Sequence, residues 1–310
     1  MDLIERAAQK LKQQKLAEEA AAKTSRNAVS SDVSSEVRVS VPNPSTDKNT
    51  NQSNTSGEVG GKLPKQRARI QRQLLQQQGM IIPGGDSRSK IKEEYRHIKR
   101  PLLANIAGRG ATVPEHLNLI MVTSAVPNEG KTFNAMNLAL SIAEERDKTV
   151  LLVDGDIVKP ALSKFFEVSS QGGLVDYLNG EINDVAEVIY RTDVSGLSYI
   201  PAGRSHFLST ELLAGEQMRR LVEELATRYQ DRIVIFDSPP LLATSESHIL
   251  ASLMAQIMVV VRADTTPKSQ VQQAIELLDR DMNIGFVLNQ TRSHIGTGYY
   301  EPYYYGYYGD

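Results

Sequence analysis

The stretch Leu117-Asn-Leu-Ile-Met-Val-Thr123, running on into Ser124-Ala-Val-Pro-Asn-Glu-Gly130-Lys131-Thr132, decides the fold. Its first seven residues are a short apolar run, which predicts a buried strand. Phe133, Met136, Leu140 and Ile142 recur at helical spacing and predict a helix over Thr132–Glu145. A glycine-containing loop between a strand and a helix N-terminus is where backbone N–H groups cradle phosphate. There Lys131 reaches the β/γ-phosphates and Thr132 offers a hydroxyl to Mg²⁺. Asn128, Glu129, Gly130 and Phe133 make up the rest of the cradle. Ala125 stands where the strict pattern has its first Gly, so the Gly-Lys-Thr tripeptide takes its meaning from the strand and helix around it.

Working outward, two more apolar strands end in acids. Val150–Val153 leads into Asp154-Gly-Asp156, and Ile233–Phe236 leads into Asp237-Ser-Pro-Pro. Doubly wound sheets bind ligands at the carboxyl ends of their strands. Carboxylates there suit a Mg²⁺ that keeps most of its waters. A helix cap explains one such Asp. Three strand ends bearing Lys131, Asp154 with Asp156, and Asp237 exceed that explanation and predict Mg-ATP as the ligand. Further strands are expected at Leu197–Ile200, Ala255–Val261 and Gly285–Asn289, and helices at Gly173–Leu178, Ser209–Tyr229, Thr244–Leu253 and Lys268–Met282. Continuous apolar strands alternating with amphipathic helices predict an α/β fold, a mostly parallel sheet with helices on both faces.

Composition narrows the function classes. The 310 residues carry a formal net charge of −2, no cysteine, and five histidines without zinc-type spacing. These exclude a disulfide framework and a thiolate metal site and give no pull toward nucleic acid. No apolar run approaches the ~20 residues of a membrane span, and residues 1–23 are too charged for a signal peptide. The expected location is the cytoplasm, with recruitment to the inner membrane only through a partner.

Residues 1–23 predict an N-terminal amphipathic helix with Leu3, Ile4, Ala7, Ala8 and Leu11 on one stripe. Residues 24–86 read as disordered linker, polar to about residue 62 and then rich in Lys, Arg and Gln. After the turn Pro83-Gly84-Gly85-Asp86, Ser87 or Ser89 caps a helix from about Lys90. Pro101 is expected to bend or interrupt it. This arm is basic, with Arg88, Lys90, Lys92, Arg96, Lys99 and Arg100. The folded domain is expected over 87–295.

Beyond residue 295 the composition changes again. Seven of the last twelve residues are tyrosines (Tyr299, Tyr300, Tyr303, Tyr304, Tyr305, Tyr307 and Tyr308), interleaved with Gly306 and Gly309. A packed core has little use for such a run, since each buried phenol needs a hydrogen-bond partner. The segment 296–310 therefore presents hydroxyls; beside a nucleotide site they become candidate phosphoryl acceptors.

The order of SAVPNEGKT (124–132), VLLVDGD (150–156), IVIFDSPP (233–240) and the tyrosine tail resembles the bacterial tyrosine kinases, cytoplasmic autokinases built on the MinD/ParA type of P-loop fold. The stretch EEYRHIKRPLLANI resembles in particular the subgroup associated with exosortase-linked exopolysaccharide systems. The resemblance implies that Lys131 and Thr132 bind phosphate and Mg²⁺ and that Asp237 is the Walker B acid. Asp154 and Asp156 would divide between them the ordering of Mg²⁺ and acceptance of the tyrosine proton. Asn289 matches the position where related ATPases read adenine. Glu93, Arg96 and Lys99 would match a subunit-contact motif on the helix of residues 87–103. A ring-like homo-oligomer phosphorylating in trans, a transmembrane polysaccharide chain-length protein as activator, and a protein-tyrosine phosphatase are the implied partners. The chain departs from the family pattern at Asn128 for Gly, at Val158 for Arg and at Lys99 for Arg.

Two other readings share these residues. A partitioning or cell-division ATPase of the same fold would use ATP-driven dimerisation as its output; it usually has a second lysine early in the loop, where this chain has Ser124 and Ala125. A non-catalytic scaffold of an export complex would use the tail as an aromatic contact surface.

Overall fold

In the computed structural model the described residues are 66–291, apart from 87, 109–115, 169–171, 205–208, 229–231 and 280–281. The expected N-terminal helix and the tyrosine cluster lie outside them.

Six parallel strands form the centre of the sheet: β2 (Leu119–Ser124), β3 (Thr149–Asp154), β6 (Leu197–Ile200), β7 (Arg232–Asp237), β8 (Gln256–Arg262) and β9 (Asn283–Asn289). Three short strands extend it at one end: β1 (Gln66–Ile70), β4 (Phe166–Val168) and β5 (Tyr190–Thr192). The nine-stranded order is β4-β1-β5-β6-β3-β7-β2-β8-β9. β5 runs antiparallel to β6, and β4 antiparallel to β1, so the sheet is mixed. The six expected strands are all present. The three short strands escaped sequence reading because runs of three to five residues carry too little periodicity to stand out.

Helices cover both faces, because β2, β3, β7 and β8 have apolar side chains on each side. One face is packed by α1 (Arg72–Gln77), α2 (Lys90–Ile106) and α3 (Lys131–Ala143), with Leu75, Tyr95, Leu102, Met136 and Leu140 against the strands. The other is packed by α4 (Leu174–Leu178), α5 (Ser209–Ala214), α6 (Glu216–Arg228), α7 (Glu246–Ser252) and α8 (Lys268–Glu276). Leu174, Leu213, Leu221, Leu250 and Ala274 fill that side.

Several boundaries differ from expectation. Residues 66–86 are not linker: β1 pairs on both edges, and Leu75, Met80 and Ile81 are buried. The glutamines and arginines that suggested solvent are the outward positions of short elements whose alternate residues are core. Helix α2 runs through Pro101 to Ile106, so the proline does not end it, although it forgoes the bond to the carbonyl four residues back. The single helix expected over Ser209–Tyr229 is two helices parted at Gly215, where the missing side chain lowers helix propensity. Among the described residues no helix is long and apolar enough to cross a membrane.

Replacing Leu75, which is fully buried, with Ala should lower unfolding free energy by about 2–5 kcal/mol in urea denaturation. A change below about 0.5 kcal/mol, the surface range, would return this segment to the linker.

Candidate functional site

The phosphate loop is shaped by its own residues. Asn128 and Gly130 both take left-handed backbone, at φ 67° and 96°; Asn tolerates that region and Gly prefers it. A Cβ at Gly130 would fall 2.0 Å from Asn289 Nδ2, so the residue is fixed by both backbone and space. Lys131 and Thr132 begin α3 immediately after it.

Glu129 has a role that sequence reading missed. Its buried carboxylate accepts from Val126 N–H at 2.8 Å, from Arg262 N–H at 3.1 Å and from the Thr266 hydroxyl at 2.5 Å. It therefore staples the loop to the end of β8. The Asn289 amide donates to the Glu129 carbonyl at 2.8 Å. The residue expected to read adenine thus spends its amide on the loop itself.

The acids arrive on adjacent strands. Asp154 and Asp237 stand opposite one another in the β3–β7 register and both are fully buried. Between them Gly155 donates to the Asp237 carbonyl at 2.8 Å. A Cβ there would meet that oxygen at 2.9 Å, so a glycine is required where the two strand ends meet. Asp156 lines the cleft; its Oδ2 accepts from Lys131 Nζ at 2.7 Å and its Oδ1 from Lys159 N–H at 3.1 Å. Asp154 uses one oxygen to accept from Leu162 N–H at 3.3 Å and leaves Oδ1 without a partner. Neither oxygen of Asp237 meets a partner in full hydrogen-bond geometry, though Thr132 is close enough to favour its charged form.

Burial sets the electrostatics. Desolvation pushes Asp237 up to about 6, against the pull of Lys131. It pushes Asp154 well above the usual carboxylate range, with Asp237 and Asp156 adding repulsion. For Lys131 burial acts downward but is outweighed by Asp237 and Asp156, so the ammonium is held above its ordinary value.

Three unpartnered buried carboxylate oxygens beside a hydroxyl are the donor set a hard cation takes. Among the described residues no three acidic or His side chains form a cage that holds a metal alone. That agrees with Mg²⁺, which takes one or two carboxylates and completes its shell from water and phosphate. The residues therefore fit Mg-nucleotide: Thr132, Asp154 and Asp237 could hold the metal, and the loop from Asn128 to Phe133 could hold the phosphates. The cleft beside them has a volume of about 600 Å³.

Helix α2 is fixed to this site. The Tyr95 hydroxyl donates to Asn134 Oδ1 at 2.7 Å, and Asn134 Nδ2 donates to the Gly130 carbonyl at 2.9 Å. At the other end of α3, buried Lys92 pairs with Glu144 and buried Lys99 with Glu145, each at 2.6 Å. Lys99 also donates to the Ser141 carbonyl at 2.7 Å. Lys99 is thereby removed from the expected subunit-contact set, because its charge is already spent inside its own chain. Glu93 and Arg96 are the members left facing outward, paired with each other. The seven tail tyrosines, Tyr299 to Tyr308, lie outside the described residues.

Comparisons with known proteins bear on the family and the fold. The AAA domain family matches residues 119–284. The chain is similar to tyrosine-protein kinase YwqD of Bacillus subtilis, 30% identical over 224 residues, covering 71% of this chain and 90% of YwqD. It is similar to tyrosine-protein kinase ptk of Acinetobacter johnsonii, 34% identical over 175 residues, covering 56% of this chain but 23% of that protein. The chain thus spans less than a quarter of the longer relative. The solved kinase domain of Escherichia coli tyrosine kinase ETK superposes with a TM-score of 0.53 at 31% identity, covering 62% of this chain and 75% of that domain.

Asp237→Asn should stabilise the nucleotide-free protein while abolishing the thermal shift given by Mg-nucleotide. A folded-state value raised to about 6 means that folding holds this proton. Its favourable contribution is full below the ordinary carboxylate value and is lost as pH rises through 6. The gain from Asn, at most about 3 kcal/mol, should therefore be larger at pH 8 than at pH 5.5. Equal gains at both pH values, or a retained nucleotide shift, would contradict the assignment.

Proposed function

The chain belongs to the bacterial tyrosine kinases, and from that premise we propose that it is an ATP-dependent autokinase whose acceptors are the tyrosines of its own C-terminal cluster. The observation that carries the reading is Lys131 held by Asp156 in a cleft backed by two buried, under-coordinated carboxylates. Mg-ATP, when bound, supplies the phosphoryl group and the cation that screens its charge. Lys131 and the loop amides stabilise charge on the transferring group. Of the two acids at the C-terminal end of β3, Asp156 faces the cleft and is assigned the proton of the incoming phenol. Asp154 lies behind it with a bare oxygen and is assigned to the metal and its water. A phenol of pKa ~10 loses its proton late, so a carboxylate is an adequate acceptor.

The tail follows β9, and the stretch beyond residue 295 extends at most ~50 Å, enough to reach a neighbouring subunit. Transfer in trans within a ring-like oligomer follows. Each phosphotyrosine adds ~1.5–2 negative charges, so repeated modification loosens the assembly and a phosphatase resets it. A transmembrane polysaccharide chain-length protein as activator, exopolysaccharide synthesis as the regulated process, and recruitment to the inner membrane complete the proposal. These rest on the resemblance of 88–308 to the family. The rival ATPase switch shares the loop and the acids but has no use for a cluster of acceptor phenols.

Purified full chain incubated with Mg-ATP should gain phosphate on residues 299–308 by mass spectrometry. Lys131→Met should reduce it at least ~10³-fold, and Asp156→Asn should lower kcat while keeping the Mg-nucleotide thermal shift. Undiminished phosphotyrosine in Lys131→Met would reject the site.

A further inference from the structure

The nucleotide motifs leave both side walls of the cleft unexplained. One wall is Val158, Lys159, Ala161 and Lys164, from the segment after β3; the other is Pro239, Pro240, Ala243 and Thr244, after β7. Val158 is 50% exposed although it lines the cleft. With half-buried Ala161 and the buried Pro239 and Pro240 it gives the cleft an apolar lining. Thr244 Oγ1 on the opposite wall is buried without a hydrogen-bond partner.

The two lysines are placed, not scattered. Lys159 is anchored through its own N–H to Asp156, the residue assigned the acceptor's proton. Lys164 sits with its ammonium 4.9 Å from the Phe165 ring centroid and near enough to Asp237 to favour that acid's charged form. Among the described residues neither lysine forms an ion pair, unlike Lys92, Lys99 and Lys131. Two ammonium groups beside an apolar slot are complementary to an aromatic ring carrying a negative charge nearby.

We propose that this slot selects acceptor tyrosines with an anionic neighbour, the ring lying among Val158, Ala161, Pro239 and Pro240 while Lys159 and Lys164 hold a carboxylate or a phosphotyrosine close to it in sequence. The inference rests on the kinase reading and names the substrate class of that same cleft. This chain's tail meets the requirement: Glu301 stands between Tyr300 and Tyr303. After the first transfer, each new phosphotyrosine becomes the anionic neighbour of the next acceptor, so the cluster is modified as a run. Every step is the same reaction. The bond from the γ-phosphorus to the β,γ-bridging oxygen of ATP breaks, one to the phenolic oxygen forms, the phenolic proton passes to Asp156, and ADP leaves.

The test uses full chain with all seven tail tyrosines replaced by Phe, so that its own tail does not compete, acting on synthetic peptides of residues 296–310. One peptide is unmodified, one carries phosphate on Tyr303, and one carries Glu301→Gln. The phosphorylated peptide should show a KM about fivefold to tenfold lower than the unmodified one, and Glu301→Gln a higher KM. Lys159→Gln with Lys164→Gln should erase these differences and leave the KM for ATP within about twofold. Equal KM values for the three peptides would overturn the proposal. So would a double variant that raises the KM for ATP while preserving the peptide ranking, which would assign the lysines to the triphosphate. ATP hydrolysis without phosphorylation of any peptide would instead bring down the kinase reading itself, and this inference with it.

Discussion

Everything at the site depends on the meeting of β3 and β7, where Asp154 and Asp237 stand side by side, fully buried and with few hydrogen bonds. Burying a carboxylate without partners costs stability, and placing two together adds repulsion. Lys131 offsets part of that, and the rest is borne by the apolar burial of strands whose remaining side chains are core on both faces. An arrangement that costs stability when empty and is relieved by a cation couples ligand binding to folding. The same geometry makes Gly155 indispensable, because the two strand ends approach too closely there for any side chain.

The second constraint is the joining of α2 to α3. Two buried lysines, each satisfied by a glutamate, fix the helices at one end of α3, and the Tyr95–Asn134–Gly130 chain ties α2 to the phosphate loop at the other. The lysines are buried while Glu144 and Glu145 are partly exposed, so solvent screens these pairs in part; it is the Tyr95–Asn134–Gly130 chain that makes α2 part of the phosphate-loop support. Its outer face keeps Glu93, Arg96 and Arg100 toward solvent. A contact made there acts on a helix whose inner face orients Gly130.

The parallel centre of the fold and the converging Lys131, Asp154, Asp156 and Asp237 were legible in the sequence, because strand-end acids and a loop opening a helix are local patterns. The short strands β1, β4 and β5 were not, since their pairing is decided by distant partners. The fate of Lys99 was hidden for a related reason. A lysine on a basic helix looks solvated until the helix packs with that side inward, and only the neighbouring Glu145 and the Ser141 carbonyl show otherwise. Glu129 is the converse case. Within a phosphate loop an acid invites a functional reading, yet its three hydrogen bonds are structural, and two of them reach residues more than a hundred positions away.

The burial of Lys92 and Lys99 also changes what a phosphorylated tail would meet on the proposed kinase reading. Of the six cations in the basic arm, these two are neutralised within the fold, which leaves Arg88, Lys90, Arg96 and Arg100, with Lys90 and Arg96 already near Glu94 and Glu93. Exposed pairs of that kind are worth little and are screened within ~8–10 Å at physiological salt. The arm is therefore a weak trap for phosphotyrosine. Lys159 and Lys164 line the cleft, and among the described residues neither forms an ion pair, so they are the better-placed competitors for the same negative charge. On the proposed kinase reading, charge building on the tail would draw it toward the cleft until repulsion among its own phosphates prevailed.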